Sequence, residues 1–359
     1  MAQVGQIKAS PEINIVFQTL ATTAIQRSAQ GILCIILKDS KMKTKWSTIK
    51  TIADIDAKNW DEKSVKLMTL AMQKYAPKKI LVRALQTEES DYSIILKELE
   101  NRKINWLACP SAQTPDDTKV VTWVKQQFGT TAIGKTIKYV SSFASNSDHP
   151  AIVELANTGT YKSKLGDFTA QEYTVAIAGA IAGCPLNRSL DNAIMPDLIS
   201  VVDVEHKLGK FSLYNEDEVV RVNYAVNSKT TFDSSWKKDT RKIKVVEGMC
   251  MVVDDIRDTF KNYWLGIYLN SYDNKMNFCS NVTKVYFKEL APNVLSADYD
   301  NKIEIDFDAQ KRYIVTEGLD PDEMSELEIM KYPTGDDVYL TGDVRFADTM
   351  ANLQLTILM

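Results

Sequence analysis

Between Gly31 and Phe143, short apolar runs alternate with amphipathic stretches, and this alternation restricts the fold more than any other feature of the chain. Residues 32–37 form a continuous apolar run, as expected of a strand covered on both faces. Val65, Met68, Leu70, Met72 and Tyr75 recur at near-helical spacing, which predicts a helix over 64–75 that Pro77 stops. Residues 80–82 predict a strand, and 90–99 a helix with Asp91 near its start. A third strand follows at 104–109. A helix over 116–128 has Val120, Val121, Val124 and Phe128 on its apolar face, and a fourth strand covers 137–143. This order predicts a mainly parallel sheet covered by helices.

The flanking regions read differently. Ile13-Asn14-Ile15-Val16-Phe17-Gln18 alternates like a half-buried strand, with Pro11 limiting it upstream. Residues 174–183 are rich in Ala and Gly, which suits close helix packing, and Pro185 and Pro196 mark a loop-rich connection. Strands are expected at 211–214 and 219–226. A long helix over 243–267 follows, with Asp239 or Thr240 as its cap. Alternation predicts further strands at 303–308 and 338–346. The last eleven residues, 349–359, carry no charged side chain, and Leu353-Gln354-Leu355-Thr356-Ile357 alternates like a strand. An uncharged edge must be covered. On that ground alone, pairing inside its own domain is favoured over addition to a neighbour's sheet. The expected organisation is an N-terminal arm over 1–30 and a helix-covered α/β domain over 31–175. A C-terminal α+β domain over 176–348 and an extended strand arm over 349–359 complete it.

Composition excludes several classes of function. Among 359 residues, 43 Lys and Arg against 47 Asp and Glu give a net charge of −4, which does not suggest a nucleic-acid binder. That total conceals an imbalance: residues 291–359 hold 15 acids and 5 bases, while the first 290 carry a net +6. The longest apolar stretch, around 175–182, is far short of the ~20 residues of a membrane span. The start Met1-Ala2-Gln3-Val4-Gly5 has no basic-then-apolar pattern, so no secretory leader is expected. Cys34, Cys109, Cys184, Cys250 and Cys279 lack CxxC spacing and read as reduced core thiols. With only His149 and His206, a histidine-rich metal site is not expected.

One motif matches a catalytic pattern by letter. Gly129-Thr130-Thr131-Ala132-Ile133-Gly134-Lys135-Thr136 fits GxxxxGK[ST], the phosphate-cradling loop of nucleotide-binding proteins, and Asp203 and Asp254 end segments like the acidic partner of that loop. A working loop follows a strand and opens a helix. Here the amphipathic 116–128 precedes and the strand-like 137–140 follows, so nucleotide binding is the alternative rather than the leading reading. No GxSxG elbow and no GxGxxG after the first strand are present. The adjacent pairs Asp254-Asp255 and Asp336-Asp337 point apart on regular structure. No catalytic residue, cofactor or metal is expected.

With these motifs failing, the collinear order of segments carries the reading. Pro11-Glu12-Ile13-Asn14-Ile15-Val16-Phe17, Thr22-Thr23-Ala24-Ile25-Gln26-Arg27-Ser28 and Ile36-Leu37-Lys38-Asp39 resemble the N-terminal signature of contractile tail sheath proteins. The likeness is to the compact sheaths of phages of Gram-positive bacteria and of phage-tail-like bacteriocins. Ala178-Gly179-Ala180-Ile181-Ala182-Gly183 with Pro185-Leu186-Asn187-Arg188-Ser189 resembles the central segment of that family. Arg221-Val222-Asn223-Tyr224-Ala225-Val226-Asn227-Ser228 resembles the strand opening its C-terminal domain. Residues 243–270, then Tyr272-Asp273-Asn274-Lys275, resemble its long helix, and Thr341-Gly342-Asp343-Val344-Arg345-Phe346-Ala347-Asp348-Thr349-Met350 its C-terminal arm. The resemblance implies a non-enzymatic subunit that stacks as hexameric rings around an inner tail tube protein. It implies baseplate and tail terminator or collar partners, assembly in the bacterial cytoplasm, and no nucleic acid or membrane insertion. It also implies strand arms exchanged between neighbours, carried here by Ile13, Ile15 and Phe17 and by Leu353, Leu355 and Ile357.

Overall fold

The computed structural model describes residue 25 and residues 30–42, 45–85, 91–129, 135–234 and 236–357. Two compact units divide at Cys250, one holding residues 29–250 with 348–359, the other 251–347. The boundary expected near 175 falls inside the helix Ala170–Gly183, eight of whose buried residues belong to the first unit's core.

The first unit is built on strands β1 (Ile32–Lys38), β2 (Trp46–Ile49), β3 (Lys79–Leu85), β4 (Trp106–Ala108), β5 (Lys138–Ser141) and β6 (Ile152–Glu154), ordered β2-β3-β1-β4-β5-β6. All neighbours are parallel except β2, which runs antiparallel to β3. The connections are α1 (Glu62–Leu70), α2 (Tyr92–Leu99) and α3 (Thr114–Gln127), and α4 (Ala170–Gly183) follows. The apolar run of β1 is explained by its two faces. Leu33, Ile35 and Leu37 pack with Leu67 and Met68 of α1 and Ile177 and Ala178 of α4. Ile32, Cys34 and Ile36 pack with Ile95 and Leu96 of α2 and Val120 and Val124 of α3. Each fully buried aliphatic side chain contributes ~1.5–3 kcal/mol, so this central strand anchors both layers.

Helix starts follow local chemistry. The Asp91 carboxylate accepts the Ser93 N–H at 2.9 Å and opens α2. Thr169 and Glu172 form a reciprocal capping box that starts α4 ahead of the Ala/Gly run. The expected helix over 64–75 ends instead at Leu70. The residues after it turn the carbonyls of Ala71 and Tyr75 against Gly179 and Gly183 of α4, a contact a continued helix could not make. A buried polar cluster links these layers. Asp117 of α3 accepts from Tyr139 Oη at 2.6 Å and Ser141 Oγ at 2.7 Å, and Gln171 of α4 donates to the Cys109 carbonyl at 2.9 Å. Burial pushes the Asp117 carboxyl up, and the hydroxyl donors hold that rise back.

His149 gives this unit an acid sensitivity. Its Nδ1 accepts the Ala151 N–H at 3.2 Å. Burial, then the Lys125 and Lys229 charges, push the imidazole from 6.5 down to about 4. Between those values the unfolded chain binds the extra proton, so this contribution is complete above the unfolded value and is lost as pH falls through the window. The denaturant midpoint should therefore fall from pH 7 to pH 5, and His149→Gln should fall less. An equal or steeper fall in the variant contradicts a neutral imidazole here.

Further on, β7 (Tyr161–Ser163), β8 (Gly166–Phe168) and β9 (Leu198–Ser200) form a sheet ordered β8-β7-β9. β10 (Leu213–Glu216) and β11 (Val219–Val222) form a hairpin turned by Asp217 and Glu218, with φ of 47° and 64°. That left-handed pair matches the two-residue turn whose twist suits adjoining strands. Both expected strands are present: the one expected over 211–214 is shifted to Leu213–Glu216, and the one expected over 219–226 stops at Val222.

Helix α5 (Ile243–Tyr263) carries the chain from one unit to the next. In the second unit, α6 (Tyr272–Asn281) passes through a π turn, Val282–Tyr286, into α7 (Phe287–Leu290). Tyr286 Oη donates to the buried Asp255 of α5 at 2.7 Å. Next come β12 (Lys302–Ile305), α8 (Phe307–Thr316), α9 (Glu326–Lys331) and β13 (Leu340–Asp343). The strand expected over 303–308 stops at Ile305 because the Asp306 carboxylate accepts the Ala309 N–H at 2.8 Å and caps α8. The strand expected over 338–346 is confined to β13, with Phe346 making only a single bridge to Leu295.

Candidate assembly surface

β12 and β13 form an antiparallel ladder pairing Lys302 with Asp343, Ile303 with Gly342, Glu304 with Thr341 and Ile305 with Leu340. Its two edges differ. At Ile303 the N–H donates to Thr283 Oγ1 at 3.0 Å and the carbonyl accepts from the same hydroxyl at 3.3 Å. The π-turn threonine thus caps the β12 edge. In an antiparallel ladder the two residues of a non-hydrogen-bonded pair both turn their amide groups outward. Gly342, opposite Ile303, therefore points its N–H and C=O away from β12, as Leu340 does. Tyr339 fits the alternation, since its carbonyl faces inward and accepts the Asp306 N–H at 3.0 Å. Among the described residues, no strand pairs with this outer edge of β13. The edge is four residues long and carries the exposed Gly342, the kind of short edge to which a strand can be added.

The expected C-terminal arm has the complementary character. Tyr224 Oη donates to Asn352 Oδ1 at 2.7 Å, and Lys244 feels the charge of Asp348, so the base of the arm lies on the first unit. Beyond it, Leu353, Leu355 and Ile357 are 86%, 71% and 75% exposed. Residues 353–357 enter no ladder within the described chain, which corrects the expectation of internal pairing. The alternation is real, but no partner strand of the described chain meets it. Ile13, Ile15 and Phe17 lie outside the described residues. Sequence reading missed the open edge of β13; the short Thr341-Gly342-Asp343 stretch was its one visible signal.

The phosphate-loop letters occupy a different kind of site. The stretch follows α3 and precedes β5, the order expected from the sequence and the reverse of a phosphate-binding loop. The Lys135 N–H donates to the Gln127 carbonyl at 3.1 Å. Lys135 Nζ donates to the carbonyls of Leu99, at 3.2 Å, and Glu100, at the C-terminal end of α2. A cation there offsets the helix dipole and satisfies terminal carbonyls. Residues 130–134 lie outside the described chain. The carboxyl ends of β1 and β4, where open α/β sheets bind ligands, are tied to the protein itself. The Lys38 N–H donates to Ser111 Oγ at 3.0 Å, and the buried Asp39 carboxylate accepts the N–H groups of Lys41, Met42 and Asp61 at 2.8–2.9 Å.

The described cysteines are free, and burial pushes the Cys34 thiol up to about 12. Among the described residues, no cluster of His, Cys, Asp or Glu is placed to hold a metal ion, and no helix is long and apolar enough to cross a membrane.

A helix-covered α/β unit, a second unit with a sheet edge that no described strand pairs, and an exposed uncharged arm place the chain among mixed α/β proteins. Comparison with known proteins makes the class more particular: the chain resembles tail sheath proteins along almost its whole length. It is 29% identical over 360 residues to the tail sheath protein of Clostridium phage phiCD119, covering 97% of this chain and 98% of that one. Its fold is similar to the sheath tail protein of Desulfitobacterium hafniense, with a TM-score of 0.65, 16% identity, and coverage of 78% and 91% of the two chains. The sheath tail protein of Listeria innocua gives 0.64 at 15% identity, covering 82% and 93%. A chain of the anti-feeding prophage baseplate gives 0.65 at 11% identity, covering 94% and 95%. No family model matches the chain.

Proposed function

We propose that this chain is the repeating structural subunit of a contractile tail sheath. Copies stack as hexameric rings around an inner tube protein, between a baseplate and a terminator or collar, in a phage tail or a released tail-like particle. Neighbours are joined by strand exchange, in which the arm carrying Leu353, Leu355 and Ile357 of one copy adds to the open edge of β13 in another. The observation that carries this reading is the presence, in one chain, of an uncharged exposed arm and a sheet edge that no described strand pairs. Such a contact joins two different surfaces, so it propagates into a helical filament rather than closing as a dimer. Ladder hydrogen bonds depend little on side chains, so exchanged strands can hold subunits together while the bodies rotate and slide.

Contraction is then a passage from a stretched, metastable assembly to a lower-energy one, triggered at the baseplate and driven by new subunit contacts rather than by nucleotide hydrolysis. The acidic 291–359 region and the basic balance of the first 290 residues supply complementary charge for those contacts. Each exposed pair is worth only ~0–1 kcal/mol, so the effect must come from repetition along the sheath.

Leu340→Pro tests the edge. Proline removes an N–H that faces away from β12, so the ladder to β12 survives while the donor for an added strand is lost. The expected result is a folded, monomeric chain that forms no tubes. Normal tubes from this variant contradict strand addition at β13.

A further inference from the structure

We propose that an aromatic groove beside β13 receives the side chain of Ile357 from a second copy of this chain, and that this fixes the direction and register of the exchanged strand. The inference rests on the strand-exchange reading and adds a pairing to it: Leu353 opposite Gly342, Leu355 opposite Leu340, and Ile357 opposite Val338.

The groove has a volume of about 300 Å³ and is lined by Phe260, Trp264, Tyr268, Phe278 and Val338 among others. Its rings are mutually packed, with Trp264 4.5 Å from Tyr268 and 5.0 Å edge-on to Phe278. Val338 connects the groove to the open edge, because it lies two residues before β13 begins. Val338, Leu340 and Gly342 follow the period of two, so they share one face and one outward amide direction. The apolar residues of the arm have the same period.

Direction follows from where the groove lies. An antiparallel arm that meets Gly342 first runs toward Val338 and delivers Ile357 to the groove. A parallel arm carries Ile357 toward Asp343 and away from it. Register follows from side-chain fit. A slip of one residue turns Gln354 and Thr356 onto the apolar face. A slip of two sets Ile357 on Leu340 and leaves the groove unfilled. In the proposed register the bulky Leu353 faces Gly342, which brings no side chain of its own. A Cβ at that position would lie 2.9 Å from Ile303 Cγ2.

Single cysteines placed on separate chains test the pairing, in a Cys184→Ser background because the other described cysteines are buried. Two singly substituted proteins are mixed, allowed to assemble, and treated with a short bifunctional thiol reagent. Ile357→Cys with Val338→Cys, and Leu355→Cys with Leu340→Cys, should each give cross-linked dimers. Ile357→Cys with Asp343→Cys should not. Cross-linking of the 355/340 pair without the 357/338 pair overturns the groove but leaves strand exchange standing. A dominant 357/343 product overturns the direction, and failure of all three pairs overturns strand exchange itself. As a second measurement, Ile357→Ala should raise the protein concentration needed for assembly by roughly ten- to a hundredfold, the cost of one unburied aliphatic side chain. Thr356→Ala, on the opposite face, should leave that concentration unchanged, and equal effects of the two variants contradict the assignment.

Discussion

Removal of residues 350–359 should leave a folded chain that does not polymerise. The arm contributes little to its own subunit, since Met350, Leu353, Leu355 and Ile357 are at least 71% exposed and residues 353–357 join no ladder of the described chain. Truncation gives up the Tyr224–Asn352 hydrogen bond, and a typical one is worth ~1 kcal/mol. Against that small loss, every subunit loses the strand it would give to a neighbour. Circular dichroism should therefore match the full chain, and the unfolding midpoint should move little. Electron microscopy should show isolated subunits where the full chain gives tubes. Normal tubes from the truncated protein would sink the exchange model. A truncated protein that does not fold would show that the arm belongs to its own subunit's core.

Gly179→Ala has the largest effect expected within the fold. At an ordinary helix-interior position this substitution stabilises by ~1 kcal/mol, because alanine restricts the unfolded chain and favours the helix. At Gly179 the added Cβ would lie 2.1 Å from the Ala71 carbonyl oxygen and 2.8 Å from its Cα. Both are backbone atoms, so no side-chain rotation relieves the overlap, and α4 must move off the turn that follows α1 in the principal core. Overpacking of this kind costs typically ~1–3 kcal/mol and occasionally more, enough to outweigh the propensity gain. A fall in the chemical unfolding midpoint corresponding to at least ~2 kcal/mol is expected, and for a protein of ordinary stability that is a large fraction of the total. Stabilisation by the substitution would show that α4 and the Ala71 backbone are not in contact there. The contact links sequence to assembly, since α4 braces the sheet of the unit on which the arm is seated.

The central sheet was legible because its signal is local and redundant. β1 is apolar at both parities since helices cover both faces, and Asp91 marks the start of α2 by the chemistry it performs there. The Ala/Gly run of α4 announced close packing, though not that Ala71 and Tyr75 would be the surfaces approached. Signals failed where a short polar residue competes with an alternating pattern. Ile303 to Asp308 reads as one strand until Asp306 takes the Ala309 N–H and turns the chain into a helix. The assembly surface was half visible. The arm showed itself by lacking charge, which is a property of its own residues. The edge that would accept it is set by the ladder that pairs Ile303 with Gly342 and Ile305 with Leu340, while Thr283 caps the opposite edge, and no single segment reveals this. The letters of residues 129–136 carried the opposite risk, which the order of the flanking elements had already countered in the sequence. They match a phosphate loop one by one, yet Lys135 is held by the carbonyl end of α2.

Copies of this chain should recognise one another through strands and build a tube. Negative-stain electron microscopy of the purified full-length chain tests it most directly. Tubes with regular axial striations and an open lumen are expected. Uniform monomers at every protein concentration tried would contradict it.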